Sequence, residues 1–268
     1  MNKYAKSALI GVGALILSTV AIGASDALQN INGGLAGLLI ESDGPCGLHS
    51  VPLLLGTHSI CIDQYEASPS NECPQADASS DVATKENMKA DFCRPVSLPE
   101  RIPWRFVSKT EAEQLCARTG KRLPTNQEWY RAVSGITSIN QCTINSEKPS
   151  LTGESECVSP TQVYDLVGNV WEWIDDQVVN GIYNGRVLPN EGYVAMVDNE
   201  GVAIETSERA AEDYGEDYFW SNKEGVRALL RGGYYGSGND AGVYSLNAAV
   251  APDFRTGGVG FRCVQDLL

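Results

Sequence analysis

Asp165 and Glu172 stand seven residues apart in the stretch VYDLVGNVWEWIDD (163–176), with Gly168 and Asn169 between them. A Gly-Asn pair allows a tight turn, and such a turn aims both carboxylates and the intervening carbonyls at one point. A ring of hard oxygen donors suits Ca²⁺. The plainer alternative is that Trp171 and Trp173 are core aromatics and the acids are solvated. Histidine offers little to zinc or iron: only His49 and His58 occur, and neither has a partner at helical ligand spacing. No GxSxG elbow and no phosphate-binding loop is present. The glycines of RGGYYGSG (231–238) do not lead from a strand into a helix at dinucleotide-binding spacing, so they read as turn residues.

The eight cysteines, Cys46, Cys61, Cys73, Cys93, Cys116, Cys142, Cys157 and Cys263, form no CxxC pair. Disulfides are expected rather than metal thiolates. The N-terminus shows why. Lys3 and Lys6 precede an uncharged apolar run, Ala8 to Ala24, and small residues then offer a cleavage site. Residues 1–27 therefore read as a secretory signal peptide, with an uncleaved anchor as the rival. Export follows, to the medium or the cell surface, and a membrane contact only through that N-terminal anchor. A net charge of −14 argues against nucleic acid, whose binding rests on Lys and Arg.

The elements that must position these groups fall within one domain, since 268 residues less a leader suit one core. Residues 28–58 read as an N-terminal extension and 59–268 as the domain. SICIDQYEA (59–67) alternates like a strand, and Ser68 to Pro99 is crowded with breakers and reads as a long surface loop. Two capping boxes, Ser108 to Glu111 and Thr125 to Glu128, open two short helices, the first stopped at Gly120. From Asp175 to Asn222 the chain is an acidic excursion rich in Asn, Gly, Glu and Tyr. On proximity alone the cysteines would pair 46 with 61, 73 with 93, and 142 with 157.

Four motifs, GKRLPTNQEW, VYDLVGNVWEW, LLRGG and GFRC, occur in the order and spacing of the formylglycine-generating-enzyme-like (sulfatase-modifying factor) domain, which the chain resembles from about Ser59 to Cys263. The resemblance implies an α+β domain of C-type lectin fold, with long irregular loops, two short helices and small antiparallel sheets. It implies a Cys116–Cys263 disulfide and a structural Ca²⁺ held by Asp165, Glu172 and the carbonyls of Gly168 and Val170. The family's second calcium site would fall between Thr137 and Pro160, where nothing matches. Its catalytic members bind copper with two cysteines, and those positions fall here on Asn239 and Tyr244. An amide and a phenol do not make a soft Cu(I) site, so no copper and no oxidase activity is expected.

The pattern of RGG, a GxxAGV block, a Leu, an Ala-Pro pair and a terminal GFRC resembles the variable region of proteins diversified by retroelements, here about 231–263. In these a reverse transcriptase miscopies adenines, and mutated Asn codons reach most amino acids but never Lys, Glu, Gln, Met or Trp. The chain holds 44 such residues in 268, so the 31 positions from Gly232 to Arg262 should hold about five, and they hold none. The resemblance places variable positions first at Tyr234, Gly236, Ser237, Asp240, Ala249, Val250, Phe254, Thr256 and Gly258. Tyr235, Asn239, Tyr244, Asn247, Asp253 and Arg255 come second. The expected function is binding of a protein or glycan on another cell, virus or host surface. The rivals are an oxidase of the formylglycine-generating type and a lectin-like surface protein of fixed sequence.

Overall fold

Alternation along two neighbouring strands sets the architecture. The computed structural model describes residues 45–267, so the signal-peptide segment 1–27 and the extension as far as residue 44 lie outside the described residues. In Trp171–Val179 (β5) and Val226–Arg231 (β11), which pair antiparallel, Trp171, Trp173, Ala228 and Leu230 face one core. Ile174, Val178 and Leu229 face another. Both faces of this sheet are therefore covered, which is why Ala228, Leu229 and Leu230 follow one another without a polar residue between them.

The large sheet has nine strands in the order β7-β6-β5-β11-β12-β10-β8-β9, with β13 beside β5. Its other members are Ile182–Tyr183 (β6), Arg186–Val187 (β7), Gly192–Val197 (β8), Ala203–Ser207 (β9), Tyr218–Ser221 (β10), Leu246–Ala248 (β12) and Val259–Gly260 (β13). Two of its pairings, β10 with β12 and β13 with β5, are parallel. The α+β class is as expected, but the small antiparallel sheets are not the whole of it. The acidic excursion supplies most of this sheet.

A second sheet pairs Ser50–Leu55 (β1), His58–Asp63 (β2) and Val264–Asp266 (β14) in that order. The compact unit begins at His49, so β1 belongs to it although its residues lie in the stretch read as extension. Ala67–Pro69 (β3) and Pro95–Ser97 (β4) form a two-stranded ladder.

Both capping boxes are formed: Ser108 opens Lys109–Ala117 (α2) and Thr125 opens Asn126–Val133 (α3), each with reciprocal side-chain bonds. Ala112, Leu115 and Cys116 of α2 join the core that holds Trp173, while Trp129, Ala132 and Val133 of α3 join the other. The expectation of two helices is corrected by a third, Asp81–Lys89 (α1), inside the stretch read as loop. Ser80 caps it, and Lys85 bonds Asp81 one turn back, but its polar sequence carries no apolar period to reveal it.

Cys73–Cys93, Cys116–Cys263 and Cys142–Cys157 are disulfides as expected. Cys46 and Cys61 are also disulfide-bonded. Among the described residues no helix is long and apolar enough to cross a membrane.

Candidate functional site

The turn between Tyr164 and Trp171 holds Asp165 and Asn169 in left-handed backbone at φ 58° and 54°, and the charges of Asp165 and Glu172 interact, while Gly168 N–H donates to Gly232 O at 3.1 Å and Val170 N–H to Glu66 Oε1 at 3.2 Å. Both acids are buried, Asp165 at 1% exposure and Glu172 at 0%, which corrects the reading of them as solvated. Trp173 and Trp171 are core residues, as that same reading had it. Arg262, from the GFRC motif, donates through Nε to both Glu172 oxygens at 2.9 and 2.8 Å and through Nη2 to Oε1 at 2.5 Å. The Trp129 indole N–H donates to Oε2 at 2.9 Å. Asp165 accepts from Gly153 N at 2.6 Å and Ser155 Oγ at 2.5 Å.

Glu66, which no sequence signal singled out, completes the cluster. It is fully buried and accepts from Asn169 Nδ2 at 2.5 Å and Val170 N at 3.2 Å. Burial first, then the charges of Asp165 and Glu172, push its carboxyl well above the usual range. Burial also raises Asp165, against the donors Ser155 and Gly153. For Arg262, burial opposes the charge, but Glu172 more than offsets this and holds the guanidinium above its ordinary value.

The set does not fit calcium. A calcium ion takes about six to eight oxygens, whereas both Glu172 oxygens are held by N–H donors and Arg262 already supplies the cation. Unfolding midpoints in EDTA and in excess CaCl₂ should therefore agree within about 2 °C. Saturating calcium at roughly 100 Kd would add about 2.7 kcal/mol, a rise of roughly 5–10 °C in a domain of this size. A rise of that size would show the ion displacing Arg262.

The C-terminal segment has a different logic. Its main chain is held by fixed segments through their own main-chain groups. Tyr235 N–H donates to Asn169 O at 2.9 Å, and Tyr235 O accepts from Ser146 N at 2.7 Å. Gly238 N–H donates to Ile144 O at 2.8 Å. The carbonyls of Pro252, Thr256 and Gly258 accept from Lys109 N, Phe106 N and Trp171 N at 3.1, 3.0 and 2.8 Å. None of these bonds depends on the side chain at the bonded position, prolyl rings apart. Gly232 and Gly233 turn the chain at φ 90° and 89°, and a Cβ at Gly232 would lie 2.2 Å from Leu166 O. Only glycine fits there.

All the expected variable positions but Gly258 are at least partly exposed, while Gly232, Gly233, Ala241, Gly242, Leu246, Val259, Gly260 and Phe261 are buried. Tyr234, Tyr235, Asn247, Phe254, Thr256 and Gly258 line one concavity of about 390 Å³, with Trp171 and Leu230 from the sheet. Tyr234 and Tyr235 meet edge to face at 5.0 Å. Gly236, Ser237, Ala249, Val250 and Asp253 do not line it. Ser237 Oγ and Asn247 Oδ1 accept from Tyr234 N and Ala249 N at 3.0 Å each, so both side chains also serve their own turns. Gly258 is the departure: it is buried, and a Cβ there would meet the Tyr234 ring at 2.8 Å.

Asn239, Asp240 and Tyr244 lie apart from this group. Asn239 Nδ2 donates to Glu216 at 3.0 Å, and Tyr244 stacks edge-on to Tyr214 at 5.4 Å. The acidic excursion also supplies an aromatic row that meets the first concavity at Trp171 and that sequence reasoning missed. From Trp171 a row of rings runs through Trp220 at 5.3 Å and Tyr218 at 4.9 Å to Tyr193 at 5.1 Å. Their alternation with buried Phe219 and Val194 was the available signal.

Residues 140–267 match the family described as the sulfatase-modifying factor enzyme 1-like domain. An "Inactive C-alpha-formylglycine-generating enzyme 2" from Bos taurus is 32% identical over a match covering 36% of this chain and 40% of that protein. The chain thus spans about two fifths of the length of that curated relative. Among solved structures, "Treponema denticola variable protein 1" aligns at TM-score 0.46 and 16% identity, covering 77% of this chain and 84% of the other. The "Major Tropism Determinant U1 Variant" aligns at 0.43 and 15%, covering 80% and 52%.

Proposed function

We propose, on the premise of a sulfatase-modifying-factor-like domain over residues 140–267, that this is an exported binding protein of C-type lectin fold. Its C-terminal surface is varied by a retroelement reverse transcriptase and binds a protein or glycan on another cell, virus or host surface. One observation carries the reading. Six of the expected variable positions meet in one concavity, while the main chain that carries them is bonded to fixed segments. Stiff aromatics such as Tyr234, Tyr235 and Phe254 would anchor a ligand at low entropic cost, and Asn247 and Thr256 would adapt to it.

Binding is favoured over oxidase chemistry by what stands at the copper positions. Asn239 spends its amide on Glu216 and Tyr244 packs in an aromatic cluster, and no described cysteine is free to donate a thiolate. The disulfides suit an oxidising compartment, which supports export.

Replacing Tyr234, Tyr235, Asn247, Phe254 and Thr256 together by small polar residues should abolish ligand capture. Tyr234 packs against the core, and Asn247 and Thr256 accept from the N–H groups of Ala249 and Gly258, so at about 1 kcal/mol for each change the midpoint should fall by roughly 10–20 °C with the protein still folded. The decisive measurement is sequencing the gene's 3′ end across one population. Differences confined to the codons of the expected variable positions within 231–263, at the adenines of a near-copy of the segment nearby, are expected. Uniform ends without a copy would leave a lectin-like domain of fixed sequence.

A further inference from the structure

A second concavity, of about 280 Å³, shares no lining residue with the first. Its floor is apolar: Ile136, Ile139 and Val243 pack against the core from the outside. Its wall is aromatic, with Tyr214 edge-on to Tyr244 at 5.4 Å, and Tyr130, outside the lining, stands 6.2 Å from Tyr244.

Asp217 supplies a buried charge to the same space. It is 2% exposed and lines the concavity, yet among the described residues no Lys or Arg stands within ion-pair distance of it. Its carboxylate is fixed in place by the backbone. Tyr244 N–H donates to Oδ2 at 2.6 Å, and a Cβ on Gly242 would lie 1.8 Å from Oδ1, so that glycine is obligatory. Burial pushes this carboxyl up to about 7, against the donated N–H bonds of Tyr244 and Ser245. Glu212 and Asp213 stand exposed at the mouth.

We infer that this concavity binds an organic ammonium group on an aliphatic stem, with Tyr214 and Tyr244 against the charge and Asp217 as its buried counter-ion. Each half of the lining excludes a simpler occupant. A metal ion would use the acids and leave Ile136, Ile139 and Val243 idle. A neutral apolar ligand would fill the floor but leave Asp217 with only the charge of Arg231, beyond ion-pair distance, to balance its own. Aromatic faces attract ammonium groups more strongly when water is excluded, and a carboxylate beside them adds charge-assisted bonding or direct Coulomb attraction. The site is independent of the variable-surface reading except at Tyr244, which is one of the expected variable positions. Only versions of the chain with an aromatic ring at 244 would carry it.

The test uses choline and its neutral isostere 3,3-dimethylbutan-1-ol, titrated into the whole protein while tyrosine ring signals are followed by NMR. Choline should give saturable shifts of Tyr214 and Tyr244, with affinity about tenfold or more above the isostere, the ratio that roughly 1.4 kcal/mol of charge recognition produces. Tyr214→Ala should remove the shifts and Tyr244→Phe should keep them. Asp217→Asn should weaken choline about tenfold without changing the isostere. Choline affinity should also fall as pH drops through about 7 and Asp217 takes up its proton. The other ionisable groups lining this space are Glu212, Asp213, Tyr214 and Tyr244, while Arg231 and Asp240 act on Asp217, and Tyr130 on Tyr244, through their charges. Equal binding of the isostere, absence of saturable shifts, or shifts that survive Tyr214→Ala would overturn the assignment. If Asp217→Asn lowers the midpoint sharply, Tyr214→Ala on the partly exposed rim decides alone.

Discussion

Glu172→Ala lowers the unfolding midpoint by roughly 6–20 °C. The magnitude follows from what the substitution leaves behind. Arg262 is fully buried, and Glu172 is its only ion-pair partner among the described residues. Removing one member of a buried pair strands the other and costs about 3–5 kcal/mol, and each kcal/mol is worth about 2–4 °C in a domain of this size. The Trp129 indole N–H loses its acceptor too. The double replacement Glu172→Leu with Arg262→Met should recover much of the loss, because apolar residues of similar volume often replace a buried pair at little cost. Calorimetry on the three proteins reads both effects. A single variant within about 2 °C of the parent would mean that water or another group compensates Arg262, and the account of this cluster would fail.

The second large effect belongs to the Cys116–Cys263 bridge. It closes a loop of 147 residues, against 15 for Cys142–Cys157 and 20 for Cys73–Cys93. The chain-entropy model gives about 5 kcal/mol for the long loop and about 3 for the short ones. Replacing both cysteines of the long bridge by Ala should therefore cost more than removing either other pair. It should also loosen the C-terminal strand, since Cys263 O and N pair with Asp63 N at 2.9 Å and Asp63 Oδ2 at 3.2 Å. Limited proteolysis near residues 263–267 should rise in this variant alone. Equal losses for these three bridges would show that loop length does not set their worth.

Local signals survived into the structure where a few neighbouring residues suffice to define them. Ser108 with Glu111 and Thr125 with Glu128 are self-contained hydrogen-bond units, so both helix starts were legible. The Gly168-Asn169 turn was legible for the same reason. What the carboxylate of Glu172 would hold was not, because its partner Arg262 lies 90 residues away in sequence, and the like charge of Glu66 comes from 103 residues before the Asn169 that it accepts from. The C-terminal pattern located the exposed positions well, since a segment fixed through its main chain shows its constraints as glycines and small residues. It could not divide them between two concavities. That division depends on Tyr214 and Asp217, in an excursion whose strands are short and whose acidic surface conceals them.

The packing of Gly258 beneath Tyr234 couples the two positions. A Cβ at 258 would lie 2.8 Å from the ring at 234, so a side chain there requires the ring to shift. On the proposed reading of a varied segment, the two positions would not be drawn independently, and the set of workable sequences would be smaller than the product of its letters. Epistasis of this kind would set a grammar on the repertoire and concentrate its diversity on exposed positions such as 254.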